Sequence, residues 1–133
     1  MTIKDQSLTK TSSLKEALKK MSLSGNKCLV VTDQKNKFLG TLSDGDLRKA
    51  ILADFDLDSS ITKIFNSNAF YILKEELNLE NLKDIFIEKQ FDIIPILNKN
   101  NSIHKIISWN EIFASKPKKL SIDLPIVIMV VSA

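Results

Sequence analysis

Two short stretches of the chain combine a serine hydroxyl with a carboxylate at the same spacing. Ser43 is followed by Asp46, and Ser108 is followed by Glu111. Each serine ends an apolar run and each acid begins a stretch with helical spacing. In one interpretation each pair is a capping box that bonds the unpaired N–H groups of a helix start. In the other, the serine and the N–H groups face a phosphate or sugar oxygen, and the carboxylate accepts two hydrogen bonds from a ribose. Spacing alone leaves both interpretations open.

The two stretches belong to an internal repeat. Ser43 and Ser108 are 65 positions apart, and at this offset apolar residues fall on apolar residues without a gap. Examples are Leu14 on Leu79, Val31 on Ile96, Leu42 on Ile107 and Leu47 on Ile112. Two copies of one supersecondary unit are therefore predicted. A unit of about 60 residues is marginal alone, so we expect the copies to share a core.

Within each copy, the residue pattern predicts a helix, a hairpin of two strands and a second helix. Cys28–Thr32 is a continuous apolar run, which is typical of a strand buried on both faces. The same order in the second copy places Pro95 inside a strand, where it cannot donate to a ladder. We therefore expect an edge, a bulge or an open backbone at Pro95. The predicted fold class is α+β, with tandem α-β-β-α repeats related by pseudo-twofold symmetry.

Domain bounds follow from these elements. We expect an N-terminal arm over residues 1–9, the first repeat over 10–60 and the second over 61–114. Residues 115–133 are assigned to a linker and the start of a following domain that is absent or truncated.

Composition excludes several classes of function. The net charge is only +3 and the charges are interspersed, so no nucleic-acid footprint is present. The single cysteine and single histidine give no zinc cluster, and no metal site is expected. No paired acid and base or nucleophile constellation occurs, so we expect no enzyme activity. The absence of a signal or membrane span predicts a cytoplasmic location without a membrane partner.

The first copy resembles a known sequence motif. Leu29–Asp33 followed by Phe38–Leu47 is similar to the core of a cystathionine-β-synthase-type (CBS) motif, and the two copies together resemble a tandem CBS pair, or Bateman module. The resemblance covers about residues 10–114 and is more specific in the first copy. It implies a cleft that binds adenosine nucleotides such as AMP or ATP, or related ligands, and regulates an attached enzyme or transporter. It requires no other cofactor, and we expect a homodimer formed through helices.

The resemblance also assigns candidate nucleotide-binding residues to the first copy. Ser43 and Asp46 match the positions that hold phosphate and ribose, and Lys27 precedes the first strand, where a cation reaches phosphate. Gly45 and Leu29 complete this set.

In the second copy, the matching residues are Ser108 and Glu111, with Asp92 at the position of Lys27. Asp92 would repel phosphate. We therefore expect one competent site built on the first copy, and a second site that is degenerate or selects a different ligand.

The tail carries a second resemblance. Asp123–Met129 is similar to the first strand of sugar-nucleotide nucleotidyltransferases, some of which carry a CBS pair in front of the catalytic domain. No glycine-rich phosphate loop follows this segment, so this chain cannot itself transfer a nucleotidyl group. We expect the regulatory part of such an enzyme, acting in cis or in trans. The alternative is a structural module that oligomerises an enzyme and binds no ligand.

Overall fold

The computed structural model describes residues 3–113, so the predicted linker and the tail segment at 123–129 lie outside the described residues. Four α-helices are present in this range: α1 (Leu14–Ser24), α2 (Asp44–Leu52), α3 (Leu79–Lys89) and α4 (Trp109–Phe113). The strands are β1 (Ser7–Thr9), β2 (Cys28–Thr32), β3 (Phe38–Ser43), β4 (Ile72–Leu73), β5 (Ile93–Leu97) and β6 (Ile103–Ser108). Short 3-10 turns occur at Lys4–Gln6, Ile61–Lys63 and Lys74–Glu76.

The strands form two three-stranded sheets of the same topology, β1-β2-β3 and β4-β5-β6. In each sheet the last two strands form the predicted antiparallel hairpin, and the first strand runs parallel to the middle one. This architecture of two small sheets with helices confirms the α+β fold class.

The segment assigned to an N-terminal arm is partly a strand. Ser7–Thr9 forms β1, in which Ser7 pairs with Val30 and Thr9 pairs with Thr32. The first repeat therefore begins one strand earlier than expected, and both repeats have the order β-α-β-β-α. A strand of three residues with one apolar side chain, Leu8, gives no periodic signal in the sequence.

The middle strands β2 and β5 are buried at all five positions, as expected for strands covered on both faces. Leu29 and Val31 pack in the core of the first repeat, whereas Cys28 and Val30 point into a cluster between the two sheets. Both repeats contribute to this central cluster, whose buried members are Cys28, Val30, Phe38, Ile93, Leu97, Ile103 and Ile106. The repeats therefore share an interior.

Pro95 lies in a central strand of its sheet, because β5 is flanked by β4 and β6. The short strand β4 runs parallel to β5 and pairs only with Ile96 and Leu97, so it begins one residue beyond Pro95. Of the three expectations for this position, the structure shows a backbone that is open on the β4 side.

The segment after the first repeat is held along the edge of β3. Thr41 and Asn66 exchange two backbone hydrogen bonds, of 3.1 and 2.8 Å between nitrogen and oxygen. Gly40 permits this approach, because a Cβ atom there would overlap the carbonyl oxygen of Asn66. The chain from Ile61 onward thus packs against the first repeat, and Ile61 itself is fully buried in the first core.

The two hairpins meet at their turns. The Phe38 N–H donates to the Asn101 carbonyl at 2.9 Å, and the Asn101 side-chain amide donates to the Phe38 carbonyl at 3.2 Å. The Lys37 ammonium donates to the Asn100 carbonyl at 2.7 Å. Within residues 3–113, no helix is both long enough and apolar enough to cross a membrane.

Candidate ligand-binding clefts

Both serine–acid pairs form capping hydrogen bonds. At the start of α2, the Asp46 N–H donates to Ser43 Oγ at 3.1 Å, and the Ser43 N–H donates to Asp46 Oδ2 at 2.9 Å. At the start of α4, the Glu111 N–H donates to Ser108 Oγ at 3.1 Å, and the return bond from the Ser108 N–H to Glu111 Oε1 is 3.4 Å long. A capping serine accepts through its oxygen and can still donate its O–H. Capping and ligand binding are therefore compatible.

The first pair faces a cavity of about 460 Å³ between the repeats, which we call the first cleft. One wall comes from the first repeat and includes Ser43 and Asp46. The rest of the lining comes from the segment between the repeats and from the second repeat. The rings of Phe70 and Phe91 stack in this wall with centroids 5.3 Å apart. The full lining is Cys28, Thr41, Ser43, Asp46, Ile64, Phe65, Asn66, Ala69, Phe70, Gln90, Phe91, Asp92 and Ile93.

The first cleft is negatively charged. Its lining contains the carboxylates of Asp46 and Asp92 and, among the described residues, no lysine or arginine. Burial raises the pKa of the Cys28 thiol to about 12, and the negative charges of Asp92, Asp46 and Asp44 contribute to this rise, while a hydrogen bond with Thr41 opposes it. The same field disfavours a phosphate group in this cleft.

The second pair faces two adjoining cavities, which together we call the second cleft. The larger cavity, of about 550 Å³, is lined by Ile3, Gln6, Asn26, Lys105, Ile106, Ser108, Asn110 and Glu111. The smaller cavity, of about 210 Å³, is lined by Gly25, Asn26, Lys27, Asp92, Ile93, Ser108, Trp109 and Asn110. Asn26, Ser108 and Asn110 belong to both linings, so the two cavities adjoin at these residues. Unlike the first cleft, this one contains lysines.

The structure brings the predicted residues together in a different combination. Ser43 and Asp46 line the first cleft, but Lys27 lines the second cleft beside Ser108, and Asp92 lines the first cleft beside Ser43. The repeats pack sheet against sheet, so the segment that enters a strand in one repeat lies near the strand-to-helix turn of the other. Lys27 thus lines the second cleft rather than the first, although its carbonyl accepts a hydrogen bond of 2.8 Å from the Asp44 N–H, next to Ser43.

Two other predicted residues line neither cleft. Leu29 has a fully buried side chain in the core of the first repeat, so this side chain does not reach either cleft. Gly45 lies in the first turn of α2, and a Cβ atom there would lie 3.6 Å from Ser43 Oγ.

Sequence reasoning missed the aromatic wall and one polar residue. Phe65 and Phe70 lie in the segment between the repeats, which has no helical or strand period. Gln6 lies in the segment taken as an arm. At the repeat offset of 65, Gln6 falls on Tyr71 in the extended segment before β4. The offset therefore indicated that the segment around Gln6 is part of the repeat and not an arm.

The first repeat is similar in sequence to a known domain family. Residues 1–53 match the family model described as "CBS domain". A curated relative, an uncharacterised 17.7 kDa protein of Acidianus ambivalens, is 27% identical over 97 residues. The match covers 73% of this chain and 58% of that protein, so the chain spans less than two thirds of the relative.

Solved structures of similar fold cover most of the chain. The CBS domains of a transcriptional regulator from Streptococcus pneumoniae align with a TM-score of 0.73 and 16% identity, over 86% of this chain and 92% of that one. A CBS domain protein from Pyrobaculum aerophilum, complexed with AMP, aligns with a TM-score of 0.70 and 18% identity, over 86% and 87% of the two chains. At these identities the similarity concerns the fold.

Proposed function

We propose that this chain, which has the fold of a CBS domain pair, is a non-catalytic regulatory module that binds an adenosine-type nucleotide between its repeats. One observation carries the proposal: each serine–acid pair faces a cleft that residues of both repeats line. A ligand in such a cleft contacts both repeats, so its affinity depends on their relative arrangement. The AMP complex of the Pyrobaculum aerophilum protein supports the ligand class.

The chemistry of binding follows from the lining residues. The serine O–H donates to a phosphate or sugar oxygen, and the carboxylate of Asp46 or Glu111 accepts from the ribose hydroxyls. The apolar wall packs against the base. Because the ligand stabilises one arrangement of the repeats, a partner protein that contacts both repeats senses its presence as a population shift.

Thermal unfolding with and without ligand tests this proposal. The panel is AMP, ATP, GTP, CTP and a nucleotide-activated sugar, each at millimolar concentration. A ligand present at 100 times its Kd stabilises the folded state by about 2.7 kcal/mol, which raises the Tm by several degrees. No rise with any of these ligands would refute the proposal.

The second candidate function is a structural dimerisation module that binds no ligand. Exposed apolar side chains at and near the ends of α1 and α2 favour it, since Leu23 is 89% and Leu52 is 78% exposed. Light scattering after gel filtration measures the mass of the complete chain. A dimer whose mass and Tm do not respond to any nucleotide supports this second function.

A more specific proposal concerns the protein that this chain regulates. A sugar-nucleotide nucleotidyltransferase is proposed only from the resemblance of residues 123–129, which lie outside the described residues. Titration calorimetry of the complete chain against such a catalytic domain from the same organism, with and without AMP, tests it. Absence of heat in both titrations would remove this partner and leave the nucleotide proposal intact.

A further inference from the structure

The core of the second repeat has an open side that the core of the first repeat lacks. Leu14, the first residue of α1, is fully buried, whereas Leu79 at the same position of α3 is 61% exposed. Leu47 of α2 is also buried, whereas its counterpart Ile112 in α4 is only partly buried. Within residues 3–113, the start of α3 therefore presents an uncovered apolar surface.

In the first repeat, a segment that follows α2 covers the equivalent side. The Leu14 N–H donates to the Ser59 carbonyl at 3.0 Å, and the Ile61 N–H donates to the Ser12 carbonyl at 2.9 Å. The side chain of Ile61 is fully buried in the first core. Residues 57–64, which we call the closing segment, thus cover the start of α1. No carbonyl within residues 3–113 accepts from the Leu79 N–H in this way.

The sequence repeat continues beyond residue 114 and includes a counterpart of the closing segment. At the offset of 65, residues 57–64 fall on residues 122–129. The three apolar residues of the closing segment and its first aspartate all recur. The matched pairs are Leu57 with Ile122, Asp58 with Asp123, Ile61 with Ile126 and Ile64 with Met129. The spacing from Phe113 to Ile126 equals that from Arg48 to Ile61, so the chain has the same length available for the return.

Pro125 suits the backbone position that the offset gives it. Its counterpart Ser60 has φ of −70° and ψ of 148°, and proline requires a φ close to this value. The two bonds to the start of α1 use the Ile61 N–H and the Ser59 carbonyl, and not the Ser60 N–H. A proline at this position therefore loses neither bond.

We propose that residues 122–129 dock on the second repeat as the closing segment docks on the first. Ile126 enters the second core beside Leu79, and the carbonyl of Leu124 accepts from the Leu79 N–H. Removal of these apolar side chains from water drives the docking. The second repeat then extends beyond residue 114, and residues 122–129 are part of it. The inference goes beyond the proposed function, because the docking requires no ligand.

Two aspartate substitutions in the complete chain test the docking by thermal unfolding without ligand. Ile126 corresponds to the buried Ile61, whereas Ile128 corresponds to Lys63, which is exposed. Ile126→Asp should therefore lower the Tm by several degrees, and Ile128→Asp, the matched control, should leave it nearly unchanged.

The same two variants exclude the competing interpretation of the segment as a strand. In a strand, residues two positions apart lie on the same face, so Ile126 and Ile128 would be equivalent. Equal effects of the two substitutions, including no effect from either, overturn the inference and leave residues 123–129 as the first strand of a following domain. A larger effect from Ile128→Asp overturns it as well.

A designed disulfide tests the register of the docked segment. Ser13 and Ser60 face each other in an antiparallel bridge, and their counterparts are Asn78 and Pro125. Opposed residues of such a bridge lie within the distance that a disulfide spans. The complete chain with Asn78→Cys and Pro125→Cys should therefore form an intrachain disulfide on oxidation in air. Peptide mapping by mass spectrometry without reduction identifies the linked pair.

Two further cysteine pairs serve as controls for this disulfide, and Cys28→Val removes the native thiol from all three proteins. Ser13→Cys with Ser60→Cys is the positive control and should crosslink. Asn78→Cys with Ser132→Cys is the negative control and should give little product. The inference is overturned if the test pair gives no more product than the negative control while the positive control crosslinks.

Discussion

The first cleft is lined by three phenylalanines and two carboxylates without a lysine or arginine, whereas the second combines two carboxylates with two lysines, isoleucines and a glutamine whose oxygen has no partner among residues 3–113. Their serine–acid pairs occupy the same turn and make the same capping bonds. Each pair stabilises the helix start of its own repeat. The lining residues differ because each cleft takes them from the other repeat and from the segments before β1 and β4. Equivalence along the sequence therefore does not imply equivalent sites.

Repeat partners also differ in how deeply they are buried in the cores, and this difference gives the largest expected effect on stability. Leu14 is fully buried, but its repeat partner Leu79 is 61% exposed. Leu14→Ala should lower the free energy of unfolding by about 3 kcal/mol. Leu79→Ala is the matched control, and in a chain shortened to residues 1–118 it should cost under about 0.5 kcal/mol.

Urea unfolding followed by Trp109 fluorescence measures the effect of Leu14→Ala from the opposite repeat, since Trp109 packs against Phe86 of the second core. Because the repeats share a core, we expect Leu14→Ala to shift the urea midpoint that Trp109 fluorescence reports. An unshifted midpoint would show that the repeats unfold independently.

Gly40 and its repeat partner Lys105 make the second comparison. Gly40→Ala introduces an atom that overlaps the carbonyl oxygen of Asn66, so the segment along β3 must shift. We expect a loss of about 2 kcal/mol in the free energy of unfolding. Lys105→Ala alters an exposed position of β6 and should change stability by less than about 0.5 kcal/mol. Equal losses of stability in the two variants, measured by thermal unfolding, would show that the close approach of Asn66 does not depend on Gly40.

Asp92 and Lys27 are repeat partners of opposite charge, so exchanging the charge should make the clefts more alike. Asp92→Lys replaces a carboxylate that lines both clefts with an ammonium, and it should raise the affinity of the first cleft for AMP about tenfold or more. In calorimetry, the stoichiometry should rise from one toward two AMP per chain. Asp58→Lys, at an exposed position outside both clefts, controls for net charge. If both variants behave alike, overall charge rather than cleft chemistry controls binding.

Substitution of the two capping acids should affect stability and AMP binding differently, because among the described residues lysines line the second cleft and not the first. Asp46→Ala removes a bond of 2.9 Å and should cost about 1 kcal/mol, without changing AMP affinity. Glu111→Ala removes an exposed bond of 3.4 Å, so it should cost less stability and should weaken AMP binding. Paired unfolding and calorimetry measure both quantities. The reverse outcome would return the nucleotide to the first cleft.

The smallest expected effect concerns Cys28, whose repeat partner Ile93 does not titrate. The pKa of the folded thiol is raised from 9.0 to about 12, so between these pH values the folded chain retains a proton that the unfolded chain loses. Stability should therefore fall as pH rises above 9. Cys28→Val should reduce this fall, measured as the change in urea midpoint between pH 8 and pH 10. An equal change of the urea midpoint with pH in both proteins would show that the Cys28 thiol does not cause the loss of stability.

Sequence patterns were sufficient where local chemistry decides the outcome. The buried run Cys28–Thr32, the hairpins and both capping boxes follow from residue types at short range. They were not sufficient for β1, which is too short to show a period, or for Lys27, whose cleft depends on how the sheets pack. The burial of the Gln6 oxygen is likewise a tertiary property. Fold was thus predictable, while the composition of each cleft was not.

The hydrogen bonds that join the two hairpin turns have a mechanical consequence. They tie Phe38 to Asn101 at one end of the hairpins, whereas Ser43 and Ser108 end β3 and β6 at the other. We expect a rotation of the sheets about the joined turns to displace the helix starts more than the turns themselves, because the helix starts lie at the far end. A ligand bound between the helix starts would therefore act at the greatest distance from the joined turns, where the least force is needed to change the angle between the sheets.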